Sequence, residues 1–202
     1  MWAKISIIGI CGWGGIALNT ASIDTRIKAT VCITSYNMSR VNHNGYVDAN
    51  DEDSVYKMKE NLNAQRIEDY KNNEYKLAGG VQKKCPENAP DFVKGYHAYN
   101  QSRAYHPRSL NSNNGWNITS GLSFVNTPQH TFACEIRNAV LLVHGEKAHS
   151  RYFSEDMFKL LKGNNKELFI VPNADHCDLY DSGINHNKIP FDRIEEFIKK
   201  NI

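Results

Sequence analysis

What is scarce in this chain of 202 residues narrows what it can be. No apolar run approaches the roughly 20 residues that span a bilayer, so a membrane protein is not expected. Neither sign of charge is in excess, with 24 Lys and Arg against 22 Asp and Glu and a formal net charge of +2. That balance leaves no electrostatic footprint for nucleic acid or an anionic membrane surface. The five cysteines are Cys11, Cys32, Cys85, Cys134 and Cys177, and no two form a CxxC pair. An odd number at wide spacing suits reduced thiols better than a disulfide framework. The start of the chain lacks the charged, apolar and small-residue regions of a secretion signal, and a cytoplasmic location is the expectation. No internal repeat is visible.

What is present is ordinary for a globular domain with its own core: 41% hydrophobic and 23% charged residues. Residues 4–10 (KISIIGI) and 27–34 (IKATVCIT) are short, continuous and β-branched. They read as buried strands, with a helix over 14–23 between them. From about Tyr36 to Asn138 the chain turns polar and the alternation stops. There, Val55, Met58, Leu62 and Tyr70 fall roughly on one helical face, with Ser54 as the N-cap. A second helix is expected within 91–105, and YHPRSLNSNNGWNITS reads as loop. The segment 36–138 is therefore expected to be a cap-like insertion within a single domain, 1–202.

Alternation returns with NAVLLVHG, a third buried strand. A helix follows, expected to be capped by Ser154, stapled by Phe153 and Phe158, and closed at Gly163. KELFIVP is a fourth strand and NADHCDLYD a polar loop. The last helix starts near Pro190 and carries Phe191, Ile194, Phe197 and Ile198 on its apolar face. The order predicts an α/β fold: a parallel sheet with flanking helices and a helical cap-like insertion. Ligands in such sheets bind outside the carboxyl ends of the strands. GICGWGG, HGEKAHS and NADHCDLYD all fall at that end.

Two chemistries suit the glycine-rich turn. Gly12, Gly14 and Ala17 satisfy G-x-G-x-x-A between a strand and a helix, a pattern that holds a dinucleotide pyrophosphate at the helix N-terminus. Against it, the second strand ends in ITSYN, with no acidic residue for a ribose, and Trp13 is bulky for a phosphate cradle. The other reading is a nucleophile elbow, a tight strand-to-helix turn with small residues two before and two after the nucleophile. In CGWGG the small flanks Cys11 and Gly15 centre that turn on Trp13. The loop after VHG is where such enzymes keep the acid, and His176 lies in the loop before the last helix, where they keep the base.

The combination resembles the C-terminal part of an α/β-hydrolase, in the group of dienelactone-hydrolase-like and acetyl-esterase-like proteins. Members have a C-G-S-G-G elbow and a following D-x-R-I-K-A, which here read CGWGG and DTRIKA (Asp24 to Ala29). HGEKAHSRYFSEDMF and DHCDLYD are also similar. The resemblance covers nearly the whole chain and implies an ester hydrolase. His176 would shuttle the proton, and backbone amides such as that of Gly14 would hold the oxyanion.

The departures from that pattern set the alternatives. Trp13 stands at the nucleophile position and cannot attack an ester. Ala148 stands at the acid position and cannot orient an imidazole. Only His176 is retained, so the triad reads as degenerate. An attacking group would be Cys11 or a water, with Glu146 or His149 approaching His176 as orienting partners. In the alternative, the chain is a non-catalytic pseudo-hydrolase, binding a small molecule or acting as a scaffold. Trp13 and His149 would then border the pocket, on which YHAYNQSRAYHPR also bears. His144, His149, His176 and Cys177 are ligand types for a metal, but no tight spacing joins them, and neither a metal nor a cofactor is expected. The family also has strands before the elbow. Their lack predicts truncation, and strand 4–10 as an exposed edge open to a second copy or a complementing N-terminal fragment.

Overall fold

A computed structural model describes residues 4–81, 83–109 and 115–202. The chain divides into two compact units, one of Met1–Met38 with Gln129–Ile202 and the other of Ser39–Pro128.

The first unit holds the sheet. Its strands are β1 (Ile5–Ile10), β2 (Ile27–Ile33), β3 (Ala139–Gly145) and β4 (Lys166–Val171), in the spatial order β1-β2-β3-β4. All three pairings are parallel: Gly9 lies beside Cys32, Val31 beside Leu141, and Val143 beside Phe169. Every residue of β3 is buried, as its unbroken apolar run requires. Burying Leu141 and Leu142 is worth about 1.5–3 kcal/mol each, more than any strand propensity supplies.

Alternation divides the two faces. Ala29, Val31, Ile33, Leu141 and Val143 pack with Ile194 and Phe197 on one side. Those last two lie on the C-terminal helix (Phe191–Asn201). The other side receives α1 (Gly12–Ala21), where Ala17 crowds Gly9, and the helix Arg151–Leu160, where Ser154 meets His144 of β3. The parallel sheet with flanking helices is as the sequence reads. β1 is an outer strand whose Ile8 and Ile10 are 50% and 38% exposed.

The second unit is helical. α2 (Met38–Asn44) leads into it, followed by α3 (Glu52–Asn72), α4 (Asp91–Ala98), a π-turn over Tyr99–Arg103, and α5 (Ser120–Val125). α3 buries only Val55 and Asp69. The Asp69 carboxylate is held by Gln65 Nε2 at 2.7 Å and by the Lys76 amide at 3.1 Å. Leu77 forms an antiparallel bridge to Asn117. The loop expected from Tyr105 to Ser120 falls partly outside the described residues.

Several local expectations are corrected. Asp51, not Ser54, caps α3, its Oδ1 accepting from the Ser54 amide at 2.8 Å. An acidic cap one turn earlier also places negative charge at the positive end of the helix. The helix expected within 91–105 is present as α4 and continues through Arg103 as the π-turn. The helix after β3, here α6 (Arg151–Leu160), has Ser150 at its N-cap position and Ser154 inside it. α7 (Asp178–Asp181) forms in the loop after β4, and the C-terminal helix is α8.

Candidate active site

The turn between β1 and α1 has its tip at Cys11. β1 ends at Ile10, α1 begins at Gly12, and between them Cys11 adopts φ 58°, ψ −128°. Side chains with a Cβ avoid this region, and holding one there costs about 1–3 kcal/mol. Neighbouring backbone fixes the turn. The Cys11 amide donates to Ile33 O at 3.0 Å, and its carbonyl accepts from Gly14 N at 2.9 Å and Tyr36 N at 3.0 Å.

This register overturns the reading that centres the turn on Trp13. The small residue two before the tip is Gly9, where a Cβ would lie 2.3 Å from Trp13 O and 2.7 Å from Ala17 Cβ. Trp13 lies within α1 and is 72% exposed, its side chain tolerated because it leaves the turn for solvent. The Gly14 amide donates to the Cys11 carbonyl. The amide that follows the tip belongs to Gly12, the first residue of α1, and a helix offers no internal acceptor at that position. Gly14 is small for another reason: a Cβ there would fall 2.0 Å from Ser35 Oγ.

A buried polar chain lies at the same end of the sheet. Directly after β2, Thr34 Oγ1 is 2.8 Å from His176 Nδ1. Ser150 Oγ is 2.6 Å from the same nitrogen and 2.9 Å from His144 Nε2. His144 Nδ1 in turn lies 2.7 Å from Ser154 Oγ. On the far side of its ring, His176 Nε2 is 2.8 Å from the Tyr180 hydroxyl. Thr34, His144, Ser150 and Ser154 are wholly buried, and His176 nearly so. Tyr36, whose amide holds the Cys11 carbonyl, sets its ring edge-on to His176 with centroids 5.2 Å apart. Its hydroxyl is hydrogen-bonded to His149 Nε2, and the His149 and His176 rings are 5.1 Å apart. Cys11, His149 and His176 therefore gather around the end of β2.

Burial disfavours the charged form of all three imidazoles. Desolvation lowers His144 to about 3, with the charges of His149 and Arg151 adding to it, and lowers His149 to about 4. His176 falls well below the ordinary histidine value, first through desolvation, then through His149 and His144. Three rings in one low-dielectric pocket disfavour charge on one another.

The other residues singled out in the sequence lie as follows. The Glu146 carboxylate is turned to the Asn173 amide at 2.9 Å, on an exposed loop. Ala148 is buried. Asp175 and Asp178, on either side of His176, accept from each other's amides at 2.8 and 3.0 Å. Cys177 is buried at the N-cap position of α7. Among the described residues, no group of three or more His, Cys, Asp and Glu is arranged to hold a metal ion, and no helix is long and apolar enough to cross a membrane. The roles of Ser150 and Ser154 were not anticipated. Their spacing of four residues on a helix, which stacks two hydroxyls on one face, was the available signal.

No protein-family model matches the chain. It is 42% identical over 208 residues to the uncharacterized protein PA2218 of Pseudomonas aeruginosa, covering 98% of this chain and 53% of that protein. It is 26% identical over 183 residues to the uncharacterized protein YcjY of Escherichia coli, covering 88% of this chain and 58% of the other. The chain thus spans about half the length of the curated relatives it matches. The crystal structure of PA2218 superposes with a TM-score of 0.90 over 98% of this chain and 61% of that one. The α/β hydrolase GrgF from Penicillium sp. superposes with a TM-score of 0.59 at 16% identity, over 100% and 65% of the two chains. The parallel sheet, its flanking helices and these likenesses make this an α/β-hydrolase fold.

Proposed function

We propose that the chain is a carboxylic-ester hydrolase that works through the Cys11 thiol with His176 as its base. The observation that carries this reading is the Cys11 backbone. A non-glycine residue held at φ 58°, ψ −128° between a strand and a helix is the conformation a nucleophile elbow demands. Elsewhere that strain would be relieved by a glycine.

The chemistry follows from the groups at hand. Cys11 Sγ attacks the ester carbonyl as its proton passes to His176 Nε2, which gives up its hydrogen bond from the Tyr180 hydroxyl to receive it. The oxyanion forms beside the Gly12 amide, at the positive end of α1. The carbon–oxygen bond then breaks, and the alcohol leaves with the proton from His176, giving a thioester on Cys11. Water attacks this thioester and gives a proton to His176. The carbon–sulfur bond breaks, the acid departs and the thiol regains its proton. The Thr34 and Ser150 hydroxyls face the other ring nitrogen, His176 Nδ1. His149 and the exposed face of Trp13 stand at the edge of the site as substrate contacts.

The test is p-nitrophenyl acetate hydrolysis by the purified chain, with mass spectrometry of the quenched protein. One acetyl group on Cys11, lost in Cys11→Ala, together with loss of turnover in His176→Ala, is expected. A folded chain with no acetylation and no turnover would instead support a second reading, a small-molecule-binding pseudo-hydrolase. Ala148 at the expected acid position favours that second reading. The open edge of β1 is also a proposed pairing surface for a second copy or a complementing strand. A mass by light scattering that stays monomeric at high concentration, in the absence of any such strand, counts against self-pairing.

A further inference from the structure

We infer that Ser150, with His144 behind it, is the positioning residue that aims His176 at Cys11 and selects its tautomer. This rests on the thiol-hydrolase reading and names a part of the same site that the reading does not need.

Ser150 occupies the N-cap position of α6, where a serine hydroxyl ordinarily accepts from an amide of the first turn. Here it makes no side-chain cap hydrogen bond. The hydroxyl instead bridges two histidines that lie 32 positions apart in sequence, at 2.6 Å from His176 Nδ1 and 2.9 Å from His144 Nε2. A wholly buried serine at a helix start that gives up its cap is committed to those rings.

The commitment matters because a neutral imidazole is a base at Nε2 only when its proton sits on Nδ1. A hydroxyl can donate or accept, so Ser150 alone would permit either tautomer. Two proton arrangements satisfy the distances. In one, donors run from His176 Nδ1–H to Ser150, from Ser150 to His144 Nε2, and from His144 Nδ1–H to Ser154. This leaves a lone pair on His176 Nε2, accepting from the Tyr180 hydroxyl at 2.8 Å. In the other, every donor is reversed and Nε2 carries the proton. Only the first makes His176 a base. Thr34 Oγ1, 2.8 Å from the same Nδ1, offers that proton a second acceptor. Desolvation disfavours the charged form of His144, so it can accept from Ser150 at Nε2 while donating from Nδ1 to Ser154.

The test uses a Cys85→Ser, Cys134→Ser background, so that Cys11 is the least buried of the remaining thiols. Three readouts are compared with Ser150 intact, in Ser150→Ala and in Ser150→Thr: nitrogen-15 shifts of the His176 ring, the rate of Cys11 alkylation by iodoacetamide, and ester turnover. With Ser150 intact, the proton is expected on Nδ1. Ser150→Ala is expected to lose the single tautomer and slow both alkylation and kcat about tenfold at unchanged KM. Ser150→Thr, which keeps the hydroxyl, restores most of the rate. A proton on Nε2 with Ser150 intact, or alkylation in Ser150→Ala at the unsubstituted rate, overturns the inference while the thiol mechanism stands. Cys11 alkylation in the natural sequence no faster than that of exposed Cys134 removes the thiol mechanism, and the inference with it.

Discussion

At the carboxyl end of the sheet, polar side chains are buried, neutral and joined into one chain. At the amino end they are charged and face an open cavity. The first set comprises Thr34, His144, Ser150, Ser154 and His176. The second surrounds a space of about 960 Å³ and includes Lys28, Glu135, Arg137 and Lys162. The same parallel strands run between them, so strand chemistry does not account for the difference. Water does. A hydroxyl or imidazole removed from water must find a partner, and its basicity then depends on that partner. A lysine facing an open cavity keeps its water and needs no protein partner. The residues that can be tuned for catalysis are therefore at the first end.

The largest effect that would break this contrast is expected at the elbow. Cys11→Gly should lower ester turnover by about a thousandfold or more. It should also raise stability by about 1 kcal/mol, because glycine relieves the positive φ. Urea unfolding beside the activity assay checks both, and a destabilised Cys11→Gly would remove the argument from strain. Next in size, Gly9→Ala forces a Cβ against Trp13 O and should cost about 1–3 kcal/mol, with turnover falling as the tip shifts. An unchanged melting temperature would show that the turn is looser than described.

Acid should separate the two ends more gently. Burial holds His144 at about 3 and His149 at about 4, and places His176 well below its ordinary value. In the unfolded chain these rings titrate near about 6.5. Between those limits the unfolded state binds more protons, so stability is full above about 6.5 and falls as pH drops toward about 4. Urea midpoints at several pH values should show this slope, and His144→Gln should flatten part of it. The smallest effect is reserved for the amino end. Arg137→Ala and Lys162→Ala should leave turnover within about twofold and stability within about 0.5 kcal/mol. A large loss in either would mean that the cavity takes part in function.

The strands were legible because buried parallel strands need continuous apolar runs, and KISIIGI, IKATVCIT, NAVLLVHG and KELFIVP are such runs. The elbow's place was legible, but not its register. Trp13 has small residues on both flanks, Cys11 and Gly15, whereas Cys11 has only Gly9, and the deciding contact, Gly9 against Trp13 O, exists only in three dimensions. Helix starts were misplaced by one turn at Ser54 and Ser154, since Asp51 and Ser150 are residue types as suited to an N-cap position. His176 was identified from its loop. Its hydroxyl partners were not, because Thr34, Ser150 and Tyr180 come from three separate elements.

The pairing of β2 with β3 has a consequence for how the protein folds. Residues 27–33 and 139–145 meet only when a loop of roughly a hundred residues closes, which adds little to the equilibrium cost but slows the search. β1, α1 and β2 are near neighbours in sequence and can associate early, carrying Cys11 with them. Thr34 reaches His176 only after the long closure, so under the proposed mechanism the thiol is in place during refolding before its base. Recovery of activity should lag behind recovery of helical and strand signal, and the length of that lag reports the closure itself.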